Sequence, residues 1–383
     1  MNSYIRSFLW QGLNSPDIHD FKIKQYGTDF DSERFLLNSC RSAIYLIARH
    51  LKDSGRGRVH VCSYTCDAVI DALNSADCEL LYYGLDANYK VEVSKILNEG
   101  DGQTDWVLWQ CTLGQLGGDC IDINMLSELG FTVVGDLSLS YGSLRNGRPY
   151  ESYFDYNVVS YECSKAFSVG WGGEVLSGKK THPLNSSIVK LEPALMTFKK
   201  IIQVLFSYRI YNTKSNLIFI IGNFLRKMFV VLNFFLRSEK MSRKRFLGCG
   251  MSPRFISYLF RSEKFWLATR KSEYLYKSYI SVYKIIIKNN VLTPNVSDKD
   301  FLVSPRIAFF IKRDRVECFN NLAHEMNMYF GDWFNSNSCF SNLSISDGDF
   351  HTYNISLFDI NSVFLERLDE FFTEWESVCV KLP

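Results

Sequence analysis

The sequence predicts an α/β fold, a mostly parallel sheet flanked by helices, followed by a smaller α+β unit at the carboxyl end. Three observations predict it. Between about Ser39 and Ser177, short β-branched or aromatic runs alternate with helix-like segments, which is the pattern of βαβ units. The 383 residues suffice for one large or two medium domains. A composition of 46% hydrophobic and 22% charged residues supplies a sizeable core and excludes a disordered or fibrous chain.

Taken in order, residues 59–62 predict a buried strand, Ala68, Val69, Ala72 and Leu73 follow at helical spacing, and residues 80–83 predict the next strand. Apolar runs at 106–109 and 131–134 flank a helix over 121–129 that stops at Gly130. Val158 and Val159 start another strand, and residues 173–177 close the series. Beyond Gly250, apolar and aromatic positions at three- and four-residue spacing predict long helices over 255–287. Residues 303–311, 316–329 and 362–378 predict strand, helix and helix. The expected organisation is a large domain over 1–194, an insertion over 195–245 and a small domain over 246–383.

The charge balance excludes some functions. With 43 Lys+Arg against 41 Asp+Glu, a net of +2 does not predict a nucleic-acid binder. The 11 Cys show no CxxC pair, and the 6 His form no HExxH motif, so reduced thiols and no metal site are expected. Neither GxGxxG nor GxxxxGK[ST] occurs. Residues 1–11 lack the features of a secretory signal, and a cytoplasmic protein is expected.

Residues 195–245 differ from the rest. They hold eleven Lys or Arg against one acid, Glu239, a local net of +10. The apolar runs at 217–221 and 228–236 are too short to span a bilayer, which takes roughly 20 residues of helix. Arg226 and Lys227 would lie at the centre of any merged span, where each charge costs about 2.5–3.5 kcal/mol. A basic, apolar helix pair of this kind suits a dimer interface or an anionic membrane surface, with protein packing the favoured reading.

Ligands of parallel sheets bind at the carboxyl ends of the strands. Asp136 follows Val134 by two residues and Lys165 follows Val159 by six, which places both at one crevice. A Lys between a strand and the glycine-rich Gly170-Trp171-Gly172-Gly173 can act as an amine nucleophile when partly desolvated. A lone loop Lys is ordinarily just that. An acid some thirty residues earlier at a strand end changes the reading, because pyridoxal phosphate needs a carboxylate to keep its pyridine nitrogen protonated. Asn38-Ser39-Cys40-Arg41-Ser42-Ala43-Ile44 opens an apolar helix with hydroxyls and backbone N–H groups, a place for an anion such as phosphate.

These residues resemble the DegT/DnrJ/StrS-type sugar aminotransferases, pyridoxal phosphate enzymes of fold type I. Ser39-Cys40-Arg41-Ser42-Ala43-Ile44 is similar to the family's Ser-Gly-x-x-Ala-Leu, and Cys62-Ser63-Tyr64-Thr65-Cys66 to its Pro-Ser-Tyr-Thr-Cys turn. Val133-Val134-Gly135-Asp136 is similar to its apolar-Glu-Asp strand end. Ser160-x4-Lys165-x4-Gly170-x-Gly172-Gly173 carries its Ser-x4-Lys-x4-Gly-Glu-Gly-Gly spacing. Gly250-Met251-Ser252-Pro253, Gly331-Asp332-Trp333-Phe334 and Lys381-Leu382-Pro383 resemble later signatures.

The resemblance implies that Lys165 holds the cofactor aldehyde and then moves protons between the donor α-carbon and the cofactor's C4′. It implies that Asp136 pairs with the pyridinium, that Ser160 and Ser39 with the amides of Cys40 and Arg41 hold the phosphate, and that Cys66 lies near the ring face. It further implies a homodimer that transfers an amino group, usually from glutamate, to a keto sugar attached to a nucleotide. Several positions differ: Leu139 stands where the family has Gln or His, Trp171 replaces a Glu, and Gly248 and Gly250 replace an Asn and an Arg. Two further readings follow. The departures suit a relative that keeps the fold but serves as a binding or scaffold partner, and the basic insertion suits a peripheral membrane enzyme acting on a lipid-linked sugar.

Overall fold

The computed structural model describes residues 33–85, 90–111, 114–162, 165–169, 172–178, 270–296, 300–332, 350–358 and 360–381. The basic insertion, Trp171, Gly248, Gly250 and the expected boundaries at 194 and 245 lie outside them, as does the expected helical stretch before residue 270.

A seven-stranded sheet organises the first part of the chain. Its strands are β1 (Glu33–Leu37), β2 (Arg58–Cys62), β3 (Glu79–Tyr83), β4 (Asp105–Gln110), β5 (Thr132–Asp136), β8 (Tyr156–Ser160) and β9 (Gly173–Ser177). The spatial order is β1-β9-β8-β5-β4-β2-β3. The run from β3 to β8 is parallel throughout, while β9 is antiparallel to both β8 and β1. Two antiparallel pairings in succession restore direction, so the carboxyl end of β1 lies at the same sheet edge as those of β5 and β8. The mostly parallel sheet expected from the sequence is present, with one reversed strand. β1 went unrecognised in the sequence because ERFLL is short and begins with two charges.

The crossovers are helices α1 (Cys40–Asp53), α2 (Asp67–Ser75), α3 (Val93–Glu99) and α4 (Cys120–Glu128). α4 starts at a capping box, in which the Asp119 and Asp122 side chains reciprocally accept backbone N–H groups, and the chain leaves it through Gly130 at φ +93°. Both sheet faces are apolar, as a parallel sheet covered on both sides requires. Along β4, Trp106 and Leu108 pack with α1 and α2, whereas Val107 and Trp109 point into the opposite core. Gly135 is needed where β5 passes the ring of Phe154, because a Cβ there would lie 2.4 Å from it.

That opposite core is continuous with the carboxyl-terminal elements. These are α5 (Lys271–Lys288), β11 (Arg306–Lys312), α6 (Val316–Glu325), β12 (Gly331–Asp332), β13 (Phe350–Ser356) and α7 (Ser362–Lys381), with an antiparallel sheet β11-β13-β12. Phe309, Phe319, Tyr353, Phe371 and Phe372 interlock there at centroid distances of 4.7–5.8 Å. The strand expected over 303–311 starts later, at Arg306, after Pro305, which has no N–H to give a ladder. The helix expected over 316–329 ends at Glu325, and Asn327 turns the chain at φ +52°. A small sheet of β6 (Leu144–Arg145), β7 (Arg148–Pro149) and β10 (Asp300–Phe301) ties the two parts together. In it Arg145 donates to both Asp300 carboxylate oxygens at 2.7 and 2.8 Å.

Among the described residues, no helix is long and apolar enough to cross a membrane.

Candidate active site

A cavity of about 230 Å³ opens where β5 and β8 end and α1 begins. Its wall contains Ser39, Cys40, Arg41, Cys66, Asp136, Ser160 and Lys165, every site residue expected from the sequence. Leu139, expected at the cofactor side from the resemblance, also lines it, as do Thr65, Gln110, Ser138 and Glu162, to which sequence reasoning gave no ligand-facing role.

The anion-receptive wall is the start of α1. Ser39 is its N-cap in extended conformation, and its Oγ accepts from Ser42 N at 3.2 Å. Ser42 Oγ in turn donates to Asn38 Oδ1 at 2.5 Å, which fixes the approach to the helix. The first turn contains no acid and carries Arg41 instead. A cation there opposes the helix dipole, at a cost of about 0.3–1 kcal/mol. Arg41 Nε is also buried without a hydrogen-bond partner among the described residues. A buried guanidinium nitrogen at the start of a helix suits an anionic group. Across it, β9 begins at Gly173, where a Cβ would fall 2.3 Å from Cys40 N, so only glycine lets that strand approach the helix start.

The acidic wall is Asp136, the last residue of β5 and buried. Ser138 donates to its Oδ1 twice, from the backbone N at 3.0 Å and from Oγ at 2.5 Å. Cys40 Sγ lies 3.2 Å from Ser138 Oγ. Burial pushes the Cys40 thiol well above its ordinary range, and the Asp136 charge pushes the same way, so this thiol stays protonated. Nearby, Gln110 ends β4 and donates from Nε2 to Tyr64 O at 2.7 Å, fixing the turn that precedes Cys66.

Lys165 sits on the loop between β8 and β9. The loop is anchored at Tyr161, whose N donates to Gly172 O at 3.0 Å and whose O accepts from Val169 N at 3.1 Å. Lys165 N donates to Glu162 O at 3.1 Å. Tyr161 is fully buried and packs edge-on against Phe167 at 5.4 Å. Its hydroxyl donates to Glu174 on β9, which also pairs with Arg34 of β1 through two hydrogen bonds, one of them Arg34 Nη2 to Oε2 at 2.7 Å. Burial lowers the Arg34 pKa, but the Glu174 carboxylate more than offsets this and holds it above its ordinary value. The β1 and β9 strands and the start of the lysine loop are thus joined by a buried ion pair and a phenol. Removing one partner of such a pair leaves an uncompensated charge, at a cost of about 3–5 kcal/mol.

An amine, a buried carboxylate and an anion-receptive helix terminus therefore share one cavity. No family model and no curated protein matches the chain by sequence. By structure it is similar to a DegT DnrJ EryC1 StrS aminotransferase from Brucella abortus, with a TM-score of 0.64 at 12% identity over 98% of this chain and 95% of that one. It is also similar to a protein of Streptococcus pneumoniae described as a sugar aminotransferase and solved in its PLP form, with a TM-score of 0.69 at 12% identity over 99% and 97%. A third similar structure is PseC of Helicobacter pylori, an aminotransferase in the biosynthesis of pseudoaminic acid, with a TM-score of 0.63 at 11% identity over 98% and 96%. The chain shares the fold of these aminotransferases.

Proposed function

We propose that the protein is a pyridoxal phosphate-dependent aminotransferase that passes an amino group, with glutamate as donor, to a keto sugar in glycan or polysaccharide biosynthesis. One observation carries the reading: Lys165, Asp136 and the start of α1 line a single cavity on a fold shared with sugar aminotransferases. The residues fit that cofactor. Arg41 Nε lacks a partner beside the first-turn amides, as a phosphate site requires. Among the described residues, the two hydrogen bonds that Asp136 receives both fall on Oδ1, so Oδ2 is placed to accept a ring N–H. Lys165 supplies the amine.

When bound, pyridoxal phosphate supplies an electron sink that stabilises a carbanion at the donor's α-carbon. Asp136 would hold the ring nitrogen's proton, Ser39, Ser160 and Arg41 would hold the phosphate, and Lys165 Nζ would take the donor's α-proton as general base and deliver it to the cofactor as general acid. Cys66, the residue before α2, lines the same cavity and would lie near the ring face.

The finer parts of the reading rest on the sequence: a nucleotide-linked sugar and a homodimer on its resemblance, and a division into 1–194, 195–245 and 246–383 on its composition and apolar patterning. Cys40, Cys62, Cys66, Cys78, Cys111, Cys120 and Cys318 are free thiols, which supports a cytoplasmic setting. The net +10 of residues 195–245 supports contact with an anionic membrane surface as an addition to this role.

The test is spectroscopic and chemical. Supplied with pyridoxal phosphate, the purified protein gains a visible absorption band, and glutamate bleaches it with release of 2-oxoglutarate. Absence of both overturns the reading. A band that glutamate leaves untouched favours a binding role instead.

A further inference from the structure

We propose that Cys40 and Ser138 are positioning residues for Asp136, forming a hydrogen-bond chain that commits the Ser138 hydroxyl to one carboxylate oxygen and presents the other to the ligand. The proposal rests on the cofactor reading above and goes beyond it by assigning a role to two residues from different elements that meet in the cavity wall, one at the start of α1 and one just past β5.

A serine hydroxyl has one hydrogen to give, and at 2.5 Å from Asp136 Oδ1 it gives it to the carboxylate, which only accepts. The remaining contact of Ser138 Oγ, with Cys40 Sγ at 3.2 Å, must then be one it accepts. The thiol is the donor. That assignment agrees with the direction in which burial and the Asp136 charge push the thiol, since a protonated sulfur can donate and a thiolate cannot. Ser138 N adds a second hydrogen bond to the same Oδ1 at 3.0 Å. Two donors converging on one oxygen fix the plane of the carboxylate. The chain of contacts also ties the acidic wall to the helix that would bind phosphate, so that the two ends of the cavity are held at a set separation.

Two measurements test it, one without any ligand. In the cofactor-free protein, the infrared S–H stretch isolated by subtracting the Cys40→Ala spectrum is expected at the lowered frequency of a donating thiol, moving to the free-thiol frequency in Ser138→Ala. A free-thiol frequency in the wild type overturns the chain. The second measurement compares dissociation constants for pyridoxal phosphate and for its analogue with carbon in place of the ring nitrogen. If Ser138 acts through Asp136, Ser138→Ala weakens the natural ring by about tenfold while leaving the analogue unchanged, and Ser138→Thr restores the difference. Equal weakening of both ligands means general damage to the cavity and overturns the positioning role. A wild type that binds both ligands equally well, or neither, instead overturns the cofactor reading, and the infrared result still decides the chain.

Discussion

Arg41 stands where a helix ordinarily carries an acid, and its Nε finds no partner among the described residues. A cation that opposes the helix dipole and buries one nitrogen without a partner has a cost that an anionic ligand removes. Arg41→Ala is therefore expected to weaken pyridoxal phosphate binding by about tenfold, the loss of one charge-assisted hydrogen bond. It should leave the melting temperature of the cofactor-free protein unchanged or slightly raised. Titration and thermal melts check the two halves, and a large drop in apo stability would contradict the assignment. At the opposite edge of the sheet, Asp105 is fully buried beneath Arg58, which donates to both its oxygens at 2.8 Å, and beside His60 at 3.1 Å. Burial pushes the Asp105 carboxyl up, but Arg58, Asp101 N, Thr104 and His60 outweigh it and hold it at about 2, below its ordinary 3.8. A depressed carboxyl pKa stabilises the fold above 3.8, and the contribution is lost as pH falls through about 2. His60 behaves in the same sense at higher pH. Burial lowers its pKa, and Asp105 only partly compensates, so its contribution is present above 6.5 and shrinks as the solution acidifies past its lowered value. Denaturant titrations should show Asp105 contributing about 2 kcal/mol at neutral pH, with the acid limb between pH 4 and 2 flattened in Asp105→Asn.

The elements meet at one tight crossing, where β9 starts against the first turn of α1. A Cβ on Gly173 would lie 2.3 to 2.5 Å from three backbone atoms of Ser39 and Cys40, none of which can yield as a side-chain end would. Gly173→Ala is expected to cost about 1–3 kcal/mol by overpacking and to impair cofactor retention, because the displaced atoms are those that would bind the phosphate. Gly55→Ala is the control. Its φ of +92° is strained for alanine, but nothing lies within 4 Å, so it costs about 1 kcal/mol and leaves binding intact. Unchanged cofactor affinity in Gly173→Ala would contradict this account of the crossing. The helices and strands of the βαβ series were legible because burial on both faces writes continuous apolar runs between turn residues. β1 and β13 were not, since a five-residue strand starting Glu33-Arg34 and the polar FHTYNIS carry little pattern of their own and are made strands by their neighbours. Ser138 did leave a signal: an Asp followed two residues later by an N–H it can accept is an Asx-type turn. The Arg34–Glu174 pair left none, because its members are 140 residues apart.

Over the whole molecule, a continuous apolar core runs from one face of the seven-stranded sheet to the aromatic cluster around Phe309 and Phe319, and the Arg145–Asp300 pair bridges the two parts at the surface of that core. This long-range joining was not legible in the sequence, where Asp300 is one acid among many. Lys165 and Asp136 were legible because parallel topology sends the ends of neighbouring strands to one edge, so position along each strand suffices to bring them together. The central claim is that the amine of Lys165 holds an aldehyde cofactor. Borohydride reduction of the protein incubated with pyridoxal phosphate, followed by peptide mass spectrometry, tests it most directly. The account predicts one phosphopyridoxyl group on the peptide containing Lys165 and none in the Asp136→Asn, Lys165→Ala double variant at the corresponding peptide. Labelling at another lysine in place of Lys165, or no labelling at all, would contradict it.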